Sequence, residues 1–149
     1  KFVSLIVSLI KNMKKIIPLF LISLLFLSCS DNGFNNKNPY IPNYNFSVTF
    51  NLAFYQNLTY PSNAIYYTGP EVGPKGIYVF NSGTGYNAFD AACPNQALSS
   101  CSTLTLKGIN LICPCDNEEY SLFTGQGKLQ YPLKQYRVEV IGNTLRVYN

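Results

Sequence analysis

Three observations predict an all-β domain, a sandwich or small barrel of short antiparallel strands, for residues 45–149. Phe46, Val48, Phe50, Leu52 and Phe54 alternate with Asn45, Ser47, Thr49, Asn51 and Ala53, the period of two expected of a strand with one buried face. Further β-branched and aromatic runs recur at short intervals, separated by Gly, Pro and Ser turns. No stretch after Phe26 repeats its apolar residues at helical spacing.

The elements follow in order. Residues 1–12 read as sequence upstream of a start at Met13. Met13-Lys14-Lys15 and the apolar run 16–26 have the charged head and short apolar body of a signal-peptide helix over 13–28, ending at Leu27-Ser28-Cys29. That ending resembles a bacterial lipobox, which implies that Cys29 is lipidated and becomes the first residue of the mature chain. The apolar runs on either side of Lys14 each fall short of the roughly 20 residues of a membrane span, so a lipid anchor is preferred to a transmembrane one. The expected location is the bacterial cell envelope, periplasmic or surface-exposed, with the membrane as partner through the lipid on Cys29. Residues 29–44, rich in Asn with Pro39 and Pro42, read as a flexible tether.

Beyond the strand that opens at Asn45, strands are expected over 64–67, 76–80, 86–90, 103–106, 109–113, 136–141 and 144–148. Gly142-Asn143 between the last two is a two-residue hairpin signal. The 12 Tyr with no Trp are read as half-buried sheet residues and not as a stacking platform for sugars or bases. Glu118-Glu119 reads as a solvated loop, and the sequons at Asn45 and Asn57 as chance matches.

The formal charge of +4 lies in the leader: from Cys29 onward seven basic residues face seven acidic ones. With no basic run and no net field, nucleic acid is excluded as a partner. No nucleophile with a base and no paired carboxylates appear, so the chain is not expected to be an enzyme.

The informative stretch is 92–125, which carries Cys93, Cys101, Cys113 and Cys115, the four cysteines left once Cys29 is set aside. Outside the cytoplasm an even number permits two disulfides. Cys93-Pro94-Asn95 and Cys113-Pro114-Cys115-Asp116 are followed by Tyr120-Ser121-Leu122-Phe123-Thr124-Gly125, then Pro132-Leu133 and Tyr136-Arg137-Val138. In order and spacing, residues 76–149 resemble the Rieske [2Fe–2S] domain, whose loops carry Cys-x-His and Cys-Pro-x-His. The resemblance implies stacked antiparallel sheets with a two-loop, cluster-binding-type subdomain over about 92–125.

Residue by residue, it places the ligand positions at Cys93, Asn95, Cys113 and Asp116. Both histidines are thus substituted, and the chain has 0 His. The iron that takes imidazole in such a centre is offered an amide and a carboxylate instead, both poor matches. No metal and no cofactor are therefore expected, with a [2Fe–2S] centre on atypical ligands as the alternative. The resemblance further implies a disulfide between Cys101 and Cys115 and another between Cys93 and Cys113, which would share one iron in the family. Of the three connectivities, a bridge from Cys113 to Cys115 is disfavoured by its small strained ring. Four thiolates on zinc or an all-cysteine cluster, and Cys113-Pro114-Cys115 as a redox dithiol, stay open as other fates. The function expected is a lipid-anchored, disulfide-stapled structural or binding module with an unknown protein partner. The alternative is an electron-transfer protein.

Overall fold

The computed structural model describes residues 37–149. The upstream segment, the signal peptide, Cys29 and the first part of the tether lie outside the described residues. Among the described residues no helix is long and apolar enough to cross a membrane.

The fold is all-β. Strands β1 (Ser47–Asn51), β2 (Ala64–Tyr67), β3 (Ile77–Asn81), β4 (Tyr86–Asp90), β8 (Gln135–Ile141) and β9 (Thr144–Tyr148) form one antiparallel sheet in the order β1-β9-β8-β4-β3-β2. A second sheet, β5-β6-β7, comprises β5 (Thr105–Lys107), β6 (Asn110–Ile112) and β7 (Glu119–Ser121). The large sheet curls on itself. Phe50 on the β1 edge and Tyr67 on the β2 edge meet edge-to-face at 5.1 Å, so the two ends of the sheet share one interior.

Alternation explains how one sheet serves two cores. On β3 every residue is buried, because Ile77 and Val79 enter the curl while Tyr78 and Phe80 face the small sheet. The curl is filled by Phe46, Phe50, Leu58, Ala88, Tyr136, Leu145 and Val147. The second core joins Phe89, Leu104, Leu111, Tyr120, Leu122 and Leu133 to Cys93 and Cys113. The cysteine loops are thereby built on packed apolar side chains.

The hairpin at Gly142-Asn143 closes β8 on β9 with Ile141 opposite Thr144, and Gly142 takes a φ of 57° that suits glycine. The Thr124-Gly125 turn is stricter. Gly125 has φ 72°, and a Cβ there would lie 2.8 Å from the Phe89 ring.

Three differences from the sequence expectation have physical causes. The first strand stops at Asn51 because its side chain accepts the Ala53 N–H and its carbonyl accepts those of Phe54 and Tyr55, turning the chain. Phe54, expected on the buried face, is 84% exposed. Glu118 and Glu119, expected in a solvated loop, are bonded: Glu119 lies in β7 opposite Ile112 and pairs with Lys107, and Glu118 accepts the Lys128 N–H. Finally, the folded part begins before Asn45. Ile41 is buried, and the Lys134 ammonium donates to the carbonyls of Ile41 and Pro42 and to Asn43 Oδ1, the last at 2.8 Å.

Candidate functional site: two bridged loops

The first loop leaves β4 through a buried carboxylate. Asp90 Oδ1 accepts the Ala92 N–H at 2.7 Å and Oδ2 accepts the Tyr136 hydroxyl at 2.7 Å. Burial pushes the Asp90 carboxyl above the usual range, while the Tyr136 and Ala92 donors and the Lys134 charge pull it back. Burial also holds the Lys134 ammonium below its usual value, opposed by Asp90. The loop is closed at its base where Cys93 N–H donates to Ser102 O at 2.8 Å, beside the bridge pairing of Ala92 with Thr103. Ser102 braces the turn by accepting the Ser99 N–H and donating to Ser99 O.

The second loop closes just as tightly. Cys113 N–H donates to Glu118 O at 2.9 Å and Asn117 N–H to Cys113 O at 2.8 Å, with Asn117 at φ 60°. Asp116 Oδ1 accepts the Glu118 N–H at 3.0 Å, so this carboxylate shapes its own turn.

The two loops face each other across two disulfides. Cys93 is bonded to Cys113 and Cys101 to Cys115, the pairs that the resemblance implied. The bridges differ in setting: Cys93 and Cys113 are buried, Cys115 is half-buried and Cys101 is exposed. The sulfurs of Cys93, Cys113 and Cys115 all lie within 4.8 Å of one another.

Asn95, which the resemblance sets at a histidine position of the first loop, does structural work. Its Nδ2 donates to Tyr120 Oη at 2.9 Å and to Tyr131 O at 2.8 Å, and its Oδ1 accepts the Tyr131 N–H at 2.9 Å. One side chain thus ties the first loop to β7 and to the segment before β8. Burial raises the Tyr120 phenol to about 12, against the Asn95 amide, which stabilises the phenolate. Tyr40 packs edge-on to Tyr131, and Asn38 donates to Pro94 O at 2.8 Å, so the N-terminal segment also touches the first loop.

Sequence reading found all four bridging cysteines but gave no site role to Asp90, Ser102, Lys134 or Tyr136. The one signal in the sequence was a carboxylate directly after the apolar pair Ala88-Phe89, at Asp90.

With these parts in place, the domain is Rieske-like in fold: a curled antiparallel sheet carries a three-stranded subdomain whose two cysteine loops face each other. No protein-family model matches the chain, and no curated protein matches it. Among solved structures, it is similar to the complex of reduced oxygenase and oxidized ferredoxin in carbazole 1,9a-dioxygenase, at 22% identity over 59% of this chain and 82% of that one, with a TM-score of 0.44. It is also similar to the ferredoxin of carbazole 1,9a-dioxygenase from Nocardioides aromaticivorans IC177, at 16% identity, covering 71% of this chain and 98% of that one, TM-score 0.45. The Sphingomonas yanoikuyae B1 ferredoxin matches at 15% identity, covering 62% and 93%, TM-score 0.45.

Proposed function

We propose that this chain is a lipid-anchored envelope protein whose Rieske-like domain has lost its iron–sulfur cluster and serves as a disulfide-stapled structural or binding module. One observation carries the reading: the positions that would bind iron are engaged in holding the loops. Cys93 and Cys113 are bonded to each other, Asn95 is committed to Tyr120 and Tyr131, and Asp116 to its own turn. With 0 His in the chain, the donor set does not fit a Rieske centre. The anchor rests on Cys29 and the leader before it, and the partner is an unidentified protein met at the membrane.

The alternative is electron transfer through a [2Fe–2S] centre on atypical ligands, favoured by the three sulfurs gathered within 4.8 Å. It needs both bridges opened and a fourth donor. Iron analysis, visible absorbance and thiol counting on the purified protein decide between the two. The module reading expects colourless protein with two disulfides and no alkylatable thiol after Cys29. Brown protein with stoichiometric iron would overturn it.

A further inference from the structure

The two bridges are more than parallel staples, because their settings are graded and their sulfurs are close. We propose that they form a thiol–disulfide relay that takes two electrons from an external dithiol at Cys101–Cys115 and delivers them to the buried Cys93–Cys113 pair through Cys115. The proposal rests on the reading above that the thiols are held as bridges.

The steps follow from access and distance. A dithiol reaches the exposed Cys101 Sγ, forms a mixed disulfide there and expels the Cys115 thiolate. Its second thiol then releases the Cys101 thiolate and leaves as the oxidised disulfide, having given up two electrons. In the bridged structure the Cys115 sulfur lies within 4.8 Å of both buried sulfurs, which puts the freed thiolate in reach of them. Attack on Cys113 would join residues two apart in a strained ring, so Cys93 is the target and Cys113 leaves as thiolate. Attack by the Cys101 thiolate on Cys115 Sγ restores the outer bridge and expels the Cys93 thiolate. The electrons then reside on Cys93 and Cys113, which take up the two protons that the dithiol released.

Two neutral donors stand where thiolates form. Gln96 Nε2 points at Cys113 Sγ at 3.5 Å, the leaving sulfur of the inner step. Ser99 Oγ lies 3.3 Å from Cys101 Sγ and 3.8 Å from Cys115 Sγ, the two sulfurs of the outer step. A bridged sulfur carries no hydrogen, so the serine hydroxyl is the donor. Hydrogen bonds to the charged form lower a thiol pKa and improve it as a leaving group.

The test is timed reduction of the full chain with dithiothreitol, followed by acid quenching, alkylation and peptide mapping by mass spectrometry. The wild type is expected to pass through a species with Cys93 bridged to Cys115 and with Cys101 and Cys113 alkylated. In the Cys101→Ser/Cys115→Ser variant the buried bridge should open at least about tenfold more slowly, because the dithiol must now reach a buried sulfur directly. Cys101→Ser alone leaves a free Cys115 thiol and keeps the inner bridge. It should redistribute between the 93–113 and 93–115 bridges with no reductant added, and adding Gln96→Ala should slow that exchange severalfold. The single variant keeps the test decisive if the double one loosens the loops. Opening of the inner bridge at the same rate with and without the outer one, or no 93–115 species in Cys101→Ser, would overturn the relay and leave the stapled module standing. Four alkylatable thiols in untreated protein would overturn both.

Discussion

Asn95 shows how much one side chain can carry in joining two loops. Its amide satisfies both backbone groups of Tyr131 and the Tyr120 hydroxyl, so Asn95→Ala removes three hydrogen bonds at once. The expected cost is about 1–3 kcal/mol in chemical denaturation, with Tyr131 left unpaired. The same change should move the Tyr120 phenol further up, because the Asn95 donor is what favours the phenolate. The sign with pH follows. A phenol raised to about 12 in the fold contributes stability that is complete below the unfolded value of roughly 10 and is lost as pH rises through the folded one. Ultraviolet titration of the tyrosines checks this, and an unchanged Tyr120 transition in Asn95→Ala would count against the clamp. Asp90 runs the same way at lower pH. Its carboxyl is raised by burial, so its contribution is present below the usual carboxylate value and falls as pH rises through the folded one. Asn95 was legible as a position where the resemblance expects histidine. Its bonding to Tyr131, 36 residues away, was not, since it depends on where the segment before β8 returns.

Among the elements, the loops and their bridges decide the stability of the small sheet. The inner bridge spans a sequence separation of 20 and the outer one 14. Replacing Cys93 and Cys113 by Ala should cost about 2–5 kcal/mol, since loop closure in the unfolded chain and packing in the second core are lost together. Replacing Cys101 and Cys115 should cost less, because Cys101 is exposed and leaves no cavity. Urea denaturation of the two double variants checks the order, and a costlier outer bridge would reverse the assignment of which one holds the core. Strands β2, β4 and β9 could be placed from the sequence to the residue. The short β7 could not. Glu119-Tyr120-Ser121 has no periodicity of its own and exists because Tyr120 is buried and Leu111 pairs with it.

For the whole molecule, the curl of the large sheet and the docking of its N-terminal segment set what the cysteine loops are built on. Lys134 sits at the junction, buried beside Asp90 and Tyr136 and donating to residues 41–43. Lys134→Met should free that segment at a cost of about 1.5–3 kcal/mol, the range for hydrogen bonds to a charged group. Limited proteolysis checks it: new cleavage should fall within 38–44 while the domain from Phe46 onward survives, and an uncut segment would show that Ile41 packing suffices alone. Strand periodicity, the turn glycines, the four cysteines of the two loops and the want of histidine were legible in the sequence, because these are matters of local pattern and residue type. The pairing of the cysteines, the burial of one bridge and the partial exposure of the other, the bracing of the loops by Asn95 and Asp116, and the place of residues 38–44 in the fold emerge with the folded chain. Each of those depends on contacts between segments far apart in the chain, which composition and spacing do not encode.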